Sequence, residues 1–387
     1  MKLGILIDRL NVGGVEKIAL EEVKALRALG EDASLLVLRK KGVVDNAFPE
    51  LQKHVPIIFL DERLPRLLRF SFQFPIFHFF SSFHLTYPIF IPFLVKKKEF
   101  DYLIVHGTYT SFTAITIKWF RKIPFSAFIW DPISYIINRV YSKTLPSTIG
   151  KALNFIAEIV DKFILNATDY ILTGGDAHNS VFLKLNHSKK IIKIVPGVHP
   201  VNNLNRQQKK DYILMVTAWK KGKNPEYIFK LIDKIPNLKF KLVGKWIDPK
   251  YEKEFRNKVK VNKYSKNIEI LGEVTEKTLH VYYQEALFLL QTNDDRGFGM
   301  PALEAAAHGT TFIIPKGQGV CAIFKDGVDG FYTAEKDNKK LSIFIKKLIN
   351  DKTRSLTMGE HALRTVENKY SWRIHSSQLM RLINKFL

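Results

Sequence analysis

Short apolar runs alternate with helical apolar stripes along the first half of the chain. Residues 3–7 form an apolar run of strand length, and after a turn Val15, Ala19, Val23 and Leu26 recur at helical spacing. Further runs of strand length lie at residues 33–38, 55–60, 102–105, 126–129, 170–173 and 191–195, and a helical pattern lies at 146–165. Strands that alternate with helices predict a parallel β-sheet with crossover helices.

The pattern restarts in the second half. Residues 201–211 are polar, which is typical of a linker between domains. Strand-like runs return at residues 212–216, 240–243, 268–271, 287–290 and 310–314. A chain of 387 residues is also longer than one hydrophobic core usually supports. We therefore predict an α/β fold with two Rossmann-like domains, residues 1–200 and 212–365, and a final helix over 366–387.

The composition indicates that the protein binds an anionic partner. Lys and Arg number 60 and Asp and Glu number 37, which gives a formal charge of +23. This excess favours nucleic acid, anionic lipid or phosphorylated small molecules, and charge alone does not choose among them. Cys321 is the single cysteine of the sequence, so an internal disulfide is excluded and a reducing, cytosolic environment is favoured. Residues 1–8 predict a strand, and we expect no signal peptide.

An aromatic segment at residues 63–98 stands apart from the alternating pattern. Its phenylalanines include Phe74, Phe77, Phe79 and Phe80, and its basic flank includes Lys96, Lys97 and Lys98. Prolines interrupt the segment, and aromatic residues favour the membrane interface over the bilayer centre. The pattern therefore predicts a segment that dips into an anionic membrane surface without spanning it. An aromatic core under a long loop, or a homodimer face, is the alternative.

Residues 291–309, QTNDDRGFGMPALEAAAHG, carry the most informative chemistry. An apolar strand precedes them, Gly297 and Gly299 mark a turn, and Pro301 suits the first position of a helix. Glycine lets the backbone approach a ligand closely, and the N–H groups at a helix start favour a diphosphate. Glu304 follows about one turn into the helix, where a carboxylate can accept hydrogen bonds from ribose hydroxyls. A strand–helix turn with a capping carboxylate is the alternative.

This stretch resembles the donor-binding signature of the retaining glycosyltransferases of family 4, whose GT-B fold has two Rossmann-like domains facing a central cleft. The signature places two glutamates around a Gly-Phe-Gly-x-Pro core. The core is matched by Gly297, Phe298, Gly299, Met300 and Pro301. Glu304 matches the second glutamate, which implies a contact with the nucleotide ribose. Arg296 occupies the position of the first glutamate, so the half of the motif that contacts the donor sugar is altered.

The resemblance also implies which residues contact the diphosphate of the donor. Lys223 matches the lysine of a Gly-Lys-Asn-Pro turn that grips the diphosphate, whereas Ala218 occupies the position of its arginine partner. Lys220 or Lys221 could supply the missing charge, and a solvated lysine cluster is the alternative. Val274 lies where family members hold the base through backbone groups.

Residues of the first half receive roles from the same resemblance. Gly13 and Gly14, in a Gly-Gly-x-Glu run, resemble the N-terminal loop of the family, although glycine in such turns is more often steric than functional. His106 matches a histidine near the donor sugar, and a structural histidine is the alternative. Residues 370–383 resemble a last helix that crosses back onto the first domain. The implied catalytic residues are thus His106, Glu304 and Arg296.

The resemblance implies a retaining, hexosyltransferase-type enzyme that uses a nucleotide-diphosphate sugar as co-substrate, with no cofactor and no metal. The aromatic-basic segment adds an expected lipid-linked or glycan acceptor and a peripheral position on the cytoplasmic face of a membrane. Two alternatives stay open. A nucleotide-sugar epimerase would need acid/base carboxylates in the cleft. A nucleic-acid-binding protein would need basic groups interleaved with stacking aromatics, whereas here the charges flank the aromatics, so we expect no nucleic-acid partner.

Overall fold

The computed structural model describes residues 1–40, 48–64, 91–141, 146–175, 191–201, 209–233, 235, 239–292, 297–334 and 337–387. The chain forms two compact units. The first contains Met1–Gly197 together with Trp372–Leu387, and the second contains Val198–Ser371. Within the described ranges, no helix combines the length and the apolar character that crossing a membrane requires.

The first unit is built on a seven-stranded parallel sheet in the order β3-β2-β1-β4-β5-β6-β7. Its strands are β1 Lys2–Ile7, β2 Asp32–Val37, β3 Ile57–Phe59, β4 Tyr102–His106, β5 Phe125–Phe128, β6 Tyr170–Thr173 and β7 Ile191–Lys193. Its helices are α1 Gly14–Ala28, α2 Pro49–Gln52, a 3₁₀ turn Leu60–Arg63, α3 Ile91–Leu94, α4 Thr108–Arg121, α5 Ile133–Tyr141, α6 Ser147–Ala167 and, from the end of the chain, Trp372–Phe386. Apolar clusters pack on both faces of the sheet, as its apolar strands require.

The second unit is a six-stranded parallel sheet in the order β10-β9-β8-β11-β12-β13. Its strands are β8 Tyr212–Val216, β9 Lys239–Val243, β10 Ile268–Gly272, β11 Phe288–Leu290, β12 Phe312–Pro315 and β13 Phe331–Thr333. Its helices are α7 Tyr227–Ile232, α8 Pro249–Lys260, α9 Glu276–Glu285, α10 Met300–Ala307, α11 Asn338–Asn350 and α12 Lys352–Glu367, with 3₁₀ turns at Ser265–Asn267 and Gly319–Ala322. The helix Trp372–Phe386 is α13.

Two element boundaries around α10 and β12 differ from the sequence prediction. The predicted strand at 310–314 begins instead at Phe312. Thr310 and Thr311 precede it, and their hydroxyls donate to the carbonyls of Tyr283 and Asp329, at 2.5 and 2.8 Å. Helix α10 begins at Met300, which places Pro301 second, where its missing N–H still costs no helical hydrogen bond.

Candidate active site

Both sheets contain a point at which the strand order reverses. In the first unit β1 lies between β2 and β4, and in the second unit β8 lies between β9 and β11. The loops that leave the carboxyl ends of such neighbouring strands diverge to opposite faces of the sheet, so a crevice for ligands opens between them. These two switch points are the places at which the predicted site residues can be compared with the structure.

In the second unit, the turn after β8 and the end of β11 are joined directly. The hydroxyl of Thr292 donates to the carbonyl oxygens of Lys223 and Asn224, at 3.3 and 3.2 Å. Asn224 takes a left-handed φ of 50° in this turn, and the N–H of Lys223 donates to the carbonyl of Lys220 at 3.0 Å. The lysine turn and the start of the motif segment are therefore brought together. Ala218 is half-buried at the beginning of the same turn.

The glycine turn before α10 is fixed by the loop that follows β12. Gly319 and Val320 donate their N–H groups to the carbonyls of Gly297 and Phe298, at 3.2 and 2.7 Å. Gly299 has a φ of 95°, and a Cβ there would lie 2.6 Å from Oε1 of Gln318. Both the left-handed conformation and the close approach thus require glycine. Arg296 lies outside the described residues.

Helix α10 directs its N-terminus at this turn. Met300 and Pro301 form its first turn, and Ala302, Leu303, Ala305 and Ala306 are fully buried along it. The small side chains let the helix pack closely on the sheet. Pro301 has no N–H, and the N–H of Ala302 donates to the carbonyl of Gly299 at 3.0 Å, so what α10 supplies at the switch point is the partial positive charge of its dipole.

Glu304 is held by a buried tyrosine. The hydroxyl of Tyr283, on α9, donates to Oε2 of Glu304 at 2.7 Å. Burial, followed by the neighbouring Glu304 carboxylate, raises the pKa of Tyr283 well above its usual range, so the phenol stays protonated and donates. Glu304 itself is half-buried. Its side chain therefore has a fixed direction and access to a ligand.

A second layer of polar groups lies behind Glu304. Lys209 donates to the hydroxyl of Thr310, which in turn donates to the carbonyl of Tyr283. Burial lowers the pKa of Lys209 to about 7. His308 donates from Nδ1 to the carbonyl of Glu304 at 2.7 Å, and burial lowers its pKa to about 4, so the imidazole is neutral. These contacts fix α10 and α9 relative to each other behind the candidate ribose site.

The turns after β8, β9 and β10 are stacked side by side. Thr217 donates its N–H to Val243, and Gly244 donates to Gly272, at 3.2 and 2.7 Å. Val274 follows in the turn after β10 and is half-buried. The predicted base-binding residue thus lies on the same carboxyl edge as Lys223, two strands away from β8.

In the first unit, the turn after β1 carries Gly13, Gly14 and Glu16. A Cβ on Gly13 would collide with the carboxylate of Glu16. Burial raises the pKa of Glu16 to about 7, and the nearby Asp8 adds to the rise. The side chain of Glu16 therefore packs against the glycine turn in a largely uncharged form below neutral pH.

His106 closes β4 on the other side of this switch point, and it is buried. Its Nε2 lies 2.7 Å from Oε2 of Glu22, and its Nδ1 accepts from the indole N–H of Trp130 at 3.2 Å. Nε2 of His375, on α13, lies 2.8 Å from the other oxygen of Glu22, and its Nδ1 lies 2.7 Å from the carbonyl of Val195. Glu22, His106 and His375 form the buried triad, with exposures of 0%, 2% and 1%.

The hydrogen-bond partners determine where the protons of the buried triad lie. The indole of Trp130 only donates, so Nδ1 of His106 carries no proton and Nε2 donates to Glu22. The carbonyl of Val195 only accepts, so Nδ1 of His375 carries a proton. The remaining proton lies between Nε2 of His375 and Glu22. Burial alone would raise the pKa of Glu22, but the attraction and hydrogen bonds of His106 and His375 prevail and lower it to about 2.

Three of the residues that organise these sites carry no motif in the sequence. Tyr283 lies on α9, and His375 lies on α13. Thr292 directly precedes residues 293–296, which lie outside the described residues. The sequence did contain a signal that could have identified Glu22 as a buried carboxylate. Glu22 lies four residues after Ile18, on the apolar stripe of α1. A charged residue on a buried stripe predicts a buried partner.

The predicted membrane-docking residues divide between described and undescribed parts. Lys96, Lys97 and Lys98 are described and exposed. Phe74, Phe77, Phe79 and Phe80 lie outside the described residues. Across the residues that the structure does describe, no cluster of His, Cys, Asp or Glu has the arrangement of a metal site.

Comparison with solved structures identifies the fold. HepE from Anabaena, solved in complex with UDP and glucose, superimposes over 99% of both chains with a TM-score of 0.74 and 14% identity. Sucrose-phosphate synthase from Thermosynechococcus elongatus matches over 100% of this chain and 99% of its own, with a TM-score of 0.73 and 17% identity. The architecture is the GT-B fold of glycosyltransferases, as predicted.

Sequence comparison finds related glycosyltransferases over part of the chain. Residues 201–372 match the family described as "Glycosyl transferases group 1". An uncharacterized glycosyltransferase of Methanocaldococcus jannaschii is 31% identical over 144 residues, and the capsular polysaccharide biosynthesis glycosyltransferase CapM of Staphylococcus aureus is 30% identical over 121 residues. The matched segments span 37% and 31% of this chain, and 40% and 31% of those relatives. The second unit therefore matches the glycosyl transferases group 1, in agreement with the predicted resemblance at that level, and the assignment to family 4 stays a prediction.

Proposed function

We propose that this protein is a retaining glycosyltransferase that moves a hexose from a nucleotide-diphosphate sugar to an acceptor. The observation that carries the proposal is the convergence at one switch point of Lys223, the glycine turn and Glu304. The family assignment and a structural neighbour solved with UDP-glucose support the same donor class.

Each group at the switch point has a chemical task in this reaction. Glu304, aligned by Tyr283, accepts hydrogen bonds from the ribose hydroxyls. Lys223 and the N-terminus of α10 stabilise the negative charge that develops on the leaving diphosphate, so the proposed reaction needs no metal. We assign no carboxylate nucleophile, because the sequence offers no carboxylate pair at a spacing that suggests a covalent glycosyl intermediate.

The proposed donor site is tested with a panel of nucleotide sugars, read out first by thermal shift and then by transfer assays on lipid extracts. Lys223→Ala should weaken binding of the nucleoside diphosphate far more than binding of the nucleoside. Lys346→Ala is the matched control, because Lys346 is an exposed lysine of the same unit on α11, outside this turn. Equal affinity of wild type and Lys223→Ala for the diphosphate would place the site elsewhere. Conversion of the donor without an acceptor would instead favour an epimerase.

Arg296 extends the proposal to the donor sugar. A guanidinium donates hydrogen bonds where a carboxylate accepts them, so Arg296 suits either an acidic donor sugar or an added contact to the diphosphate that replaces the arginine missing at Ala218. Arg296→Glu should lower affinity for the nucleoside diphosphate in the second case, and only for the intact donor in the first. Unchanged transfer by Arg296→Ala would contradict both.

The acceptor in this proposal is a lipid-linked or other membrane-associated glycan, and the protein lies peripherally on the cytoplasmic face of the membrane. The aromatic-basic segment at residues 63–98 and the formal charge of +23 support this location. Replacing Phe77, Phe79 and Phe80 by Ser should abolish sedimentation with anionic vesicles while leaving nucleotide binding intact. Loss of folding in that variant would show that the segment belongs to the core.

A further inference from the structure

Helix α6 exposes its apolar residues. Ala157, Asp161, Ile164 and Leu165 face the core of the first unit, whereas Phe155, Ile156 and Ile159 are 65%, 55% and 54% exposed. Ile149 and Phe163, at the two ends of the helix, are 49% and 42% exposed. Helices at the surface of a water-soluble domain normally present polar residues to solvent, so this face is built for an apolar partner.

The exposed residues of α6 continue onto two neighbouring helices. The rings of Trp119, near the end of α4, and Phe163 lie 6.1 Å apart, and those of Phe120 and Phe93, the latter on α3, lie 5.8 Å apart. Trp119, Phe120 and Phe93 are 54%, 59% and 63% exposed. We call the surface formed by Phe93, Trp119, Phe120, Phe155, Ile159 and Phe163 the apolar face.

Exposed cations surround the apolar face. Lys151 and Lys162 lie on α6 itself, Lys122 follows α4, and residues 96–98 are the three lysines that follow α3. The guanidinium of Arg121 lies 5.7 Å from the ring centre of Phe93, in a cation–π contact.

Two carboxylates beside the face are neutralised by ion pairs, and a third accepts a hydrogen bond from a neutral amide. Glu99 is paired with Arg63 at 2.6 Å, and Asp169 is paired with Lys118 at 2.5 Å. Glu158, which is half-buried, accepts from the amide of Asn154 at 3.1 Å. Exposed aromatic and aliphatic side chains with a positive rim match the head-group boundary of an anionic bilayer, where apolar groups insert and cations meet phosphate.

We infer that the apolar face docks the first unit on an anionic lipid membrane. The inference rests on the proposed peripheral location and adds a contact surface made of described residues to the segment at 63–98. Phe155, Ile159 and Phe120 enter the head-group boundary, while Lys122, Lys151 and Lys162 contact lipid phosphates. This docking would hold the first unit against the surface in which a lipid-linked acceptor is embedded.

The test compares vesicles of phosphatidylglycerol and phosphatidylcholine with vesicles of phosphatidylcholine alone. Wild type should sediment with the anionic vesicles and be released partly by salt. Combined replacement of Phe120, Phe155 and Ile159 by Ser should weaken partitioning by at least roughly a hundredfold. Serine at Ile247, Val261 and Ile343, which are 51%, 87% and 53% exposed in the second unit, is the matched control and should leave partitioning unchanged.

A charge variant keeps the test decisive if the serine variant does not fold. Glutamate at Lys122, Lys151 and Lys162, all exposed, should abolish the preference for anionic vesicles. Circular dichroism checks that each variant is folded. The thermal shift with UDP checks that its second unit still binds the nucleotide.

Each remaining outcome has a distinct meaning. Wild type that stays in the supernatant would overturn both the docking face and the proposed membrane location. Wild type that sediments together with an equally sedimenting serine variant would overturn the apolar face alone. A wild-type dimer that the serine variant converts to a monomer, with unchanged sedimentation, would identify a second copy of the chain as the occupant and overturn membrane docking. Loss of transfer without loss of sedimentation would count only against the proposed reaction.

Discussion

Two glutamates at the two switch points show how one topology produces different chemistry. Glu22 is fully buried, and both of its oxygens contact histidines. Glu304 is half-buried, and Tyr283 donates to one of its oxygens. Glu22 therefore serves to hold α1, β4 and α13 together, whereas Glu304 keeps the access that the proposed ribose recognition would require. The comparison teaches that a carboxylate near a switch point can bind a ligand only where the packing leaves its oxygens accessible to that ligand.

The largest expected effect comes from removing the buried carboxylate. Glu22→Ala should lower the free energy of unfolding by about 3–5 kcal/mol, because it leaves His106 and His375 buried without their shared acceptor. Urea titration measures the change. Glu22→Gln is the comparison variant, since the amide oxygen can accept from His106 and the NH₂ can donate to His375; it removes only the charge and should lose less stability than Glu22→Ala. A loss below about 1 kcal/mol in Glu22→Ala would remove the contrast with Glu304.

The opposite response is expected at Glu304. Glu304→Ala should cost about 1–3 kcal/mol of nucleotide affinity, because two ribose hydroxyls lose their acceptor. Its stability should change less than that of Glu22→Ala. Calorimetric titration with UDP measures the affinity, and Glu367→Ala, at an exposed position on α12, is the control. Unchanged affinity would show that Glu304 is also structural.

A smaller effect should follow from Tyr283→Phe. The substitution keeps the ring but removes the hydroxyl that donates to Glu304 at 2.7 Å, so nucleotide affinity should fall by about 0.5–1.5 kcal/mol. Tyr282→Phe tests the neighbouring position on α9. If Tyr283→Phe lowers stability but not affinity, then the tyrosine supports the fold of the unit and does not align Glu304.

The smallest effect concerns pH and distinguishes Glu22 from Glu16. The pKa of Glu16 is raised to about 7, so the folded state binds more protons than the unfolded state above the usual value of 4.5, and stability falls as pH rises through this window. The pKa of Glu22 is lowered to about 2, so its contribution is present above 4.5 and is lost as pH falls below it. In Glu16→Gln, thermal melts at a series of pH values should no longer show the fall in stability above pH 4.5, but should still show the loss of stability below pH 4.5. If Glu16→Gln keeps the fall above pH 4.5, then another group causes it.

Much of the fold could be predicted from apolar periodicity, because buried parallel strands must be apolar and crossover helices must carry an apolar stripe. The runs at 3–7, 102–105 and 212–216 lie within the observed β1, β4 and β8. Boundaries were less predictable where hydrogen bonds at the end of a helix decide them. The N–H of Thr310 donates to the carbonyl of Ala305 on α10 at 2.9 Å, and the strand begins at Phe312, two residues later than predicted.

The sequence by itself determined the family-like chemistry of the second unit, since glycines, a proline and a glutamate within eight residues act through local backbone geometry. Gly297, Gly299, Pro301 and Glu304 form such a set. Only the tertiary structure decided the environment of the first unit's histidine. Glu22, His106 and His375 are separated by 84 and 353 residues along the chain, yet they share one buried proton network. Long-range packing sets burial, and burial decides whether a titratable side chain supports the fold or meets a ligand.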